Sequence, residues 1–131
     1  MSIEIQTLNV LEPADLIRLA SGYSSSHKYS VDYAESRDHV SFELRLEMLG
    51  QPYIRQHRFD DRDIQECQRI LTLGYSVGAF SDSSLVGVIL AEPQMWNQSM
   101  WVREFHIAQT HRRQGIGTRL METVEIGRAH V

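Results

Sequence analysis

Three apolar segments in close succession constrain this chain more than any other feature: YSVGAF at 75–80, LVGVILAE at 85–92 and MWVREFHIA at 100–108. Each is short, rich in Val, Ile, Phe or Trp, and bounded by turn residues, which is the signature of strands rather than helices. The first two are joined by SDSS, a hairpin signal, and the second and third by PQMWNQS. After the third comes HRRQGIGTRLME, residues 111–122, where two glycines open a helical pattern. The first two therefore read as a hairpin, and the remaining elements must be sought elsewhere in the chain.

The segments upstream supply them. SIEIQTL alternates and reads as a first strand. EPADLIRLASGY reads as a helix, with Pro13 in its first turn, Leu16, Ile17, Leu19 and Ala20 apolar, and Gly22 suited to closing it. Residues 23–39 show no clear period and read as loop or irregular helix. In SFELRLEML, Phe42, Leu44, Leu46 and Met48 alternate with polar residues, so a strand is expected despite helix-favouring Glu, Leu and Arg. DDRDIQECQRILTLGY returns to helical spacing: Asp60 or Asp61 caps it, Ile64, Cys67 and Leu71 line one face, and Gly74 ends it.

A length of 131 residues suits one domain, 1–131, and no repeat or linker divides it. The net charge of -4 gives no general attraction to nucleic acid or to an anionic membrane, so any anion must be held by a local arrangement. The single cysteine, Cys67, forms no internal disulfide, and the histidines show no metal-ligand spacing. No stretch reads as a signal peptide or a membrane span, and a cytoplasmic setting is expected.

The local arrangement is at the two glycines. A helix start presents unpartnered N–H groups and a mildly positive end, glycine lets a phosphate approach the backbone, and Arg112 and Arg113 add charge. For a bare glycine pair, a plain strand-to-helix turn with solvated arginines is the favoured reading. The P-loop pattern fails because no glycine precedes Gly115 at the required distance, and the Rossmann fingerprint lacks its third glycine and its early strand. A third pattern, R/Q-x-x-G-x-G/A, is met by Arg112-Arg113-Gln114-Gly115-Ile116-Gly117, directly after the strand Phe105-His106-Ile107.

With the LVGV strand before it, this stretch resembles the GNAT superfamily of acyl-CoA-dependent N-acetyltransferases. The context PQMWNQSMWVREFHIAQTHR looks most like the streptothricin-type members. The resemblance implies a mixed α/β (α+β) fold with a mostly antiparallel sheet flanked by helices, incomplete at the C-terminus. It implies acetyl-CoA as co-substrate and a primary amine of a small molecule or peptide as acceptor, with no metal. The pyrophosphate would lie on the backbone from Arg113 through Gln114, Gly115, Ile116 and Gly117 to Thr118, with Arg112 lending charge. The pantetheine arm would pair with the strand around Ile107 and Ala108, either of which could offer an N–H to the thioester oxygen.

Acetyl transfer needs a neutral amine and therefore a base. Glu104, on the same strand, is the first candidate, against the plainer role of a surface carboxylate paired with Arg103. His106 shares its face by alternation and serves as second candidate or as a buried, hydrogen-bonded histidine. Trp96 and Trp101 could wall the substrate pocket, though packing explains such aromatics equally well. A non-catalytic acyl-CoA-binding or partner-binding module is the rival from another class, and a homodimer is left open.

The chain departs from the family at its end. The usual general acid, a tyrosine on a later helix, and the strands that follow have no counterpart here. Gly127 is expected to break the last helix, and residues 126–131, IGRAHV, read as a non-native tail matching the translation of a sequencing adapter. The expectation is of a truncated, inactive N-terminal portion.

Overall fold

In the computed structural model, which describes residues 2–128, the apolar run LVGVILAE lies inside a strand buried on both faces. The elements in chain order are β1 (Ile3–Thr7), α1 (Pro13–Leu19), β2 (Tyr23–Ser36), β3 (His39–Arg55), α2 (Asp61–Leu71), β4 (Val77–Ser81), β5 (Ser84–Gln94), β6 (Ser99–Ile107) and α3 (Ile116–Arg128). Contacts divide the chain into two units, Gly22–Gln56 and the segments on either side of it.

In the larger unit, four strands form an antiparallel sheet in the order β1-β4-β5-β6. The turn between β4 and β5 is Asp82-Ser83, both at positive φ (49° and 69°), as a type I′ hairpin demands. One face of the sheet is covered by α1 and α2: Leu16, Leu19, Cys67, Ile70 and Leu71 pack on Leu85, Val88 and Leu90. The other is covered by α3, whose Ile116, Leu120 and Val124 pack on Val77, Ala79, Ile89 and Ala91. Each such fully buried aliphatic side chain contributes on the order of 1.5–3 kcal/mol, so the two layers together hold the sheet.

Polar ties set the positions of the helices. The Arg18 guanidinium donates to the Leu85 carbonyl at 2.9 Å, anchoring α1 to β5. Asp60 caps α2 reciprocally with Asp63: the Asp63 N–H donates to the Asp60 carboxylate at 2.8 Å, and the Asp60 N–H to the Asp63 carboxylate at 3.1 Å. From α2, Arg69 reaches the largely buried carboxylate of Glu92 on β5 at 2.7 Å. No helix among the described residues is long and apolar enough to cross a membrane.

The smaller unit is a two-stranded antiparallel ribbon, β2 with β3. The expected strand at SFELRLEML is found within β3, but residues 23–36 are strand, not loop. Their period is hidden by a register shift between Ser25 and His27. Beyond it Tyr29, Val31 and Tyr33 stand opposite Leu46, Leu44 and Phe42 on one face, and all six are exposed. The other face carries Arg45 bonded to Asp32 at 2.6 Å and Ser30 bonded to Glu47 at 3.0 Å.

Three expectations about helix ends are corrected. Gly22, at φ +81°, and Gly74, at φ +88°, lie beyond the Ala20 cap of α1 and the Thr72 cap of α2 rather than closing those helices. Gly127 does not break α3, which runs through to Arg128. One interior glycine costs a helix about 1 kcal/mol, less than the burial of Leu120 and Val124 supplies to the same helix. Residues 129–131 of the supposed tail lie outside the described residues.

Candidate functional site

The candidate site is organised by an irregularity in β6. Leu90 pairs with Glu104, but the next residue of β5, Ala91, pairs with Val102, leaving Arg103 as an extra residue. Cross-strand partners share a face. Val102 therefore lies with Ala91 on the α3 side, and Met100 packs there too, whereas Glu104 and His106 lie with Leu90 and Val88 on the side of α1 and α2. The bulge turns a carboxylate and an imidazole away from the α3 core.

On that face Glu104 and His106 meet. Glu104 Oε2 lies 2.6 Å from His106 Nε2, and the side chains are 19% and 13% exposed. An ionised carboxylate only accepts, so with Glu104 charged the proton sits on Nε2 and a neutral His106 has its lone pair on Nδ1. The carboxylate of Glu104 is bonded to His106 rather than to Arg103.

A third residue joins them that sequence spacing did not suggest. The ring of His57 meets that of His106 edge-on, with centroids 5.2 Å apart and planes at 79°. His57 also stacks on Phe59, at 6.2 Å and 16°, and Phe59 packs against the core under α1 and α2. The available signal was the capping box at Asp60: it fixes how the chain enters α2, whose apolar face lies on the same side of the sheet as Glu104. Cys67 is on this side as well. Burial, and then the Glu104 charge, push its thiol up to about 11, so it is protonated at neutral pH and supplies no thiolate.

The outer edge of β6 faces away from β5. The Ala108 N–H donates to the Val86 carbonyl at 2.8 Å, the bond that flanks the Gly87–Ile107 pair and makes that pair a non-hydrogen-bonded one. The N–H and C=O of Ile107 therefore point to the open edge, and by the same register so do those of Phe105. Arg112 Nε donates to the Ile107 carbonyl from that side at 3.1 Å. Of the two N–H groups considered for an oxyanion, that of Ala108 is engaged in the sheet, and that of Ile107 faces outward.

After Ile107 a single 3₁₀ turn, Gln109–His111, leads into the loop. Arg113 (φ 61°) and Gly115 (φ +81°) both adopt left-handed backbone, which bends the chain into α3 at Ile116. The Arg119 N–H is bonded to the Gly115 carbonyl at 3.1 Å, so the N–H groups of Ile116, Gly117 and Thr118 form the unpartnered first turn. A Cβ at Gly115 would meet nothing within 4 Å, and one at Gly117 would meet only Phe105, at an ordinary 3.5 Å. The space over this turn is open. An open groove of about 540 Å³ continues from it, lined by Phe105, Gly117, Thr118, Met121, Glu122 and Glu125. Trp96 and Trp101, on and beside the β5–β6 turn, are exposed.

Comparison with known proteins gives a consistent picture. The profile of the acetyltransferase (GNAT) family matches residues 40–129. The crystal structure of a nourseothricin acetyltransferase matches over 99% of this chain and 68% of its own, with a TM-score of 0.65 and 18% identity. A putative streptothricin acetyltransferase from Bacillus anthracis, solved with acetyl coenzyme A, matches over 98% and 69%, with a TM-score of 0.57 and 15% identity. A Pyrococcus horikoshii protein matches over 98% and 73%, at 0.58 and 16%. At such identities the likeness shows the fold. No curated protein matches the sequence.

Proposed function

The chain belongs to the acetyltransferase (GNAT) family, and from that premise we propose that it moves an acetyl group from acetyl-CoA to a primary amine of a small molecule. The observation that carries the reading is the outward-facing N–H of Ile107 next to the open first turn of α3. Backbone donors for a pyrophosphate and for a thioester oxygen then lie along one continuous edge. The first turn, Ile116 to Thr118, and the loop from Arg113 would hold the pyrophosphate, with Arg112 held near by its bond to the Ile107 carbonyl. When bound, acetyl-CoA supplies an acyl carbon and a thiolate leaving group.

The chain's own residues do the rest. Glu104, bonded to His106, takes a proton from the ammonium, directly or through water, and frees the nitrogen lone pair for attack. The Ile107 N–H stabilises the charge that develops on the carbonyl oxygen as the nitrogen adds. The buried, protonated thiol of Cys67 is no acyl carrier, and in this reading the amine attacks the thioester directly. A small-molecule acceptor of the streptothricin type is supported by the names of the nourseothricin and putative streptothricin acetyltransferases that share the fold.

Calorimetry with acetyl-CoA and with ATP, followed by thiol release in the presence of nourseothricin, tests the reading. Against the inactivity expected from the sequence, the backbone donors and the couple of Glu104 and His106 all lie among the described residues. We therefore expect binding of acetyl-CoA in clear preference to ATP, and thiol release that depends on the amine. Equal affinity for ATP would replace the coenzyme site with a generic phosphate site. Binding without amine-dependent thiol release would favour a non-catalytic module.

A further inference from the structure

We propose that His57 is a positioning residue: its ring fixes the orientation of the His106 imidazole that keeps Nε2 on Glu104. The inference rests on the reading of Glu104 and His106 as the proton-accepting couple, and extends it to a residue on a different segment of the chain.

The second torsion of a histidine is soft and nearly two-fold, so an imidazole on a strand can present either edge to a neighbouring carboxylate unless something holds it. On its own strand, His106 has Glu104 as its partner at 2.6 Å, and its cross-strand partner is the apolar Val88. The contact that supplies an aromatic edge is His57, at 5.2 Å and 79°, the T-shaped geometry that aromatic pairs favour. His57 is itself exposed, so filling the core does not explain its place. It is held by stacking on Phe59, and the reciprocal cap at Asp60 and Asp63 fixes the backbone immediately after Phe59. The chain of contacts runs from the core through Phe59 and His57 to His106 and ends on Glu104.

The readout is the tautomer of His106, recorded from the ring nitrogens by long-range proton–nitrogen NMR on the full chain. Wild type is expected to show one tautomer, with the proton on Nε2. His57→Ala should give a mixture of both tautomers, while His57→Phe, which keeps an aromatic edge and removes the ring nitrogens, should restore the single one. In acetylation of nourseothricin, His57→Ala should lower kcat about tenfold, the size expected from misplacing a catalytic group, with the KM for acetyl-CoA unchanged and kcat recovered in His57→Phe. Thermal midpoints of the two variants separate positioning from loss of fold. A single Nε2 tautomer in His57→Ala overturns the proposal, and so does a mixture in His57→Phe at an unchanged midpoint. Glu104→Gln and His106→Ala test the underlying reading separately. If both retain turnover the base assignment falls, while the tautomer measurement still decides whether His57 positions His106.

Discussion

Two parts of the candidate site lie within a few residues of each other and are made of different material. The stretch from Ile107 to Thr118 offers mainly backbone: an outward N–H at Ile107, left-handed turns at Arg113 and Gly115, and an open first turn of α3. The couple of Glu104 and His106 offers side chains, aimed by a bulge and met by a ring from a distant segment. A site of backbone donors is specified by a contiguous stretch. A site of side chains depends on the phase of a strand and on whatever else packs over it.

The comparison predicts that substitutions in the two parts separate binding from turnover. The largest effect is expected from Glu104→Gln, which keeps the shape and removes the proton acceptor. Turnover at neutral pH should fall by roughly 10²-fold or more, with acetyl-CoA affinity unchanged in calorimetry. A loss of affinity with turnover intact would mean that the couple belongs to binding.

Gly115→Val should do the reverse. A β-branched residue at φ +81° is strained by about 1–2 kcal/mol, and the loop that feeds the first turn of α3 is displaced. Acetyl-CoA affinity should fall by well over about tenfold, with saturated turnover little changed. Gly115→Asn, which tolerates the left-handed region, should recover most of the affinity.

Gly117→Ala is the finer probe. Its Cβ would make only an ordinary contact with Phe105, so the melting temperature should stay put, while a closely approaching pyrophosphate would lose about three- to tenfold in affinity. Equal affinity would move the anion off this turn.

The smallest effect links the couple to stability. The folded state holds the Cys67 thiol near 11 against an ordinary 9.0. The unfolded chain therefore releases that proton first, and the stability present below pH 9 is lost as pH rises from about 9 to 11. The melting temperature should fall more steeply across that window in wild type than in Cys67→Ala. Part of the shift comes from the Glu104 charge, so the slope should flatten in Glu104→Gln.

Most of the larger unit was legible in the sequence. The strands β1, β4, β5 and β6, the helices α1 and α2, and the loop into α3 follow from period, turn residues and caps, all of which act over a few residues. β2 was not, because its alternation is confined to Tyr29, Val31 and Tyr33, after a serine-rich start and a register shift between Ser25 and His27. That Glu104 and His106 share a face followed from simple alternation. That they face α2 rather than α3 did not, because it depends on the extra residue at Arg103. His57 was illegible because the one local signal beside it, the cap at Asp60, places the start of α2 and not the ring; only stacking on Phe59 and the edge-on contact bring it to His106.

Arg103 acts on β6 as a single inserted letter acts on a reading frame. Upstream of it, even-numbered positions such as Met100 and Val102 belong to the α3 core; downstream, even-numbered Glu104 and His106 belong to the opposite face. Side-chain parity is reset once, and everything after it is read on the other side. Deleting this one residue would leave composition almost untouched. It would send the carboxylate and the imidazole towards Ile116 and Leu120, or else drag Met100 and Val102 out of their layer. The identity of the side chain at 103 is thus a lesser constraint than its presence, and the spacing between the apolar and polar halves of the strand is itself a functional quantity.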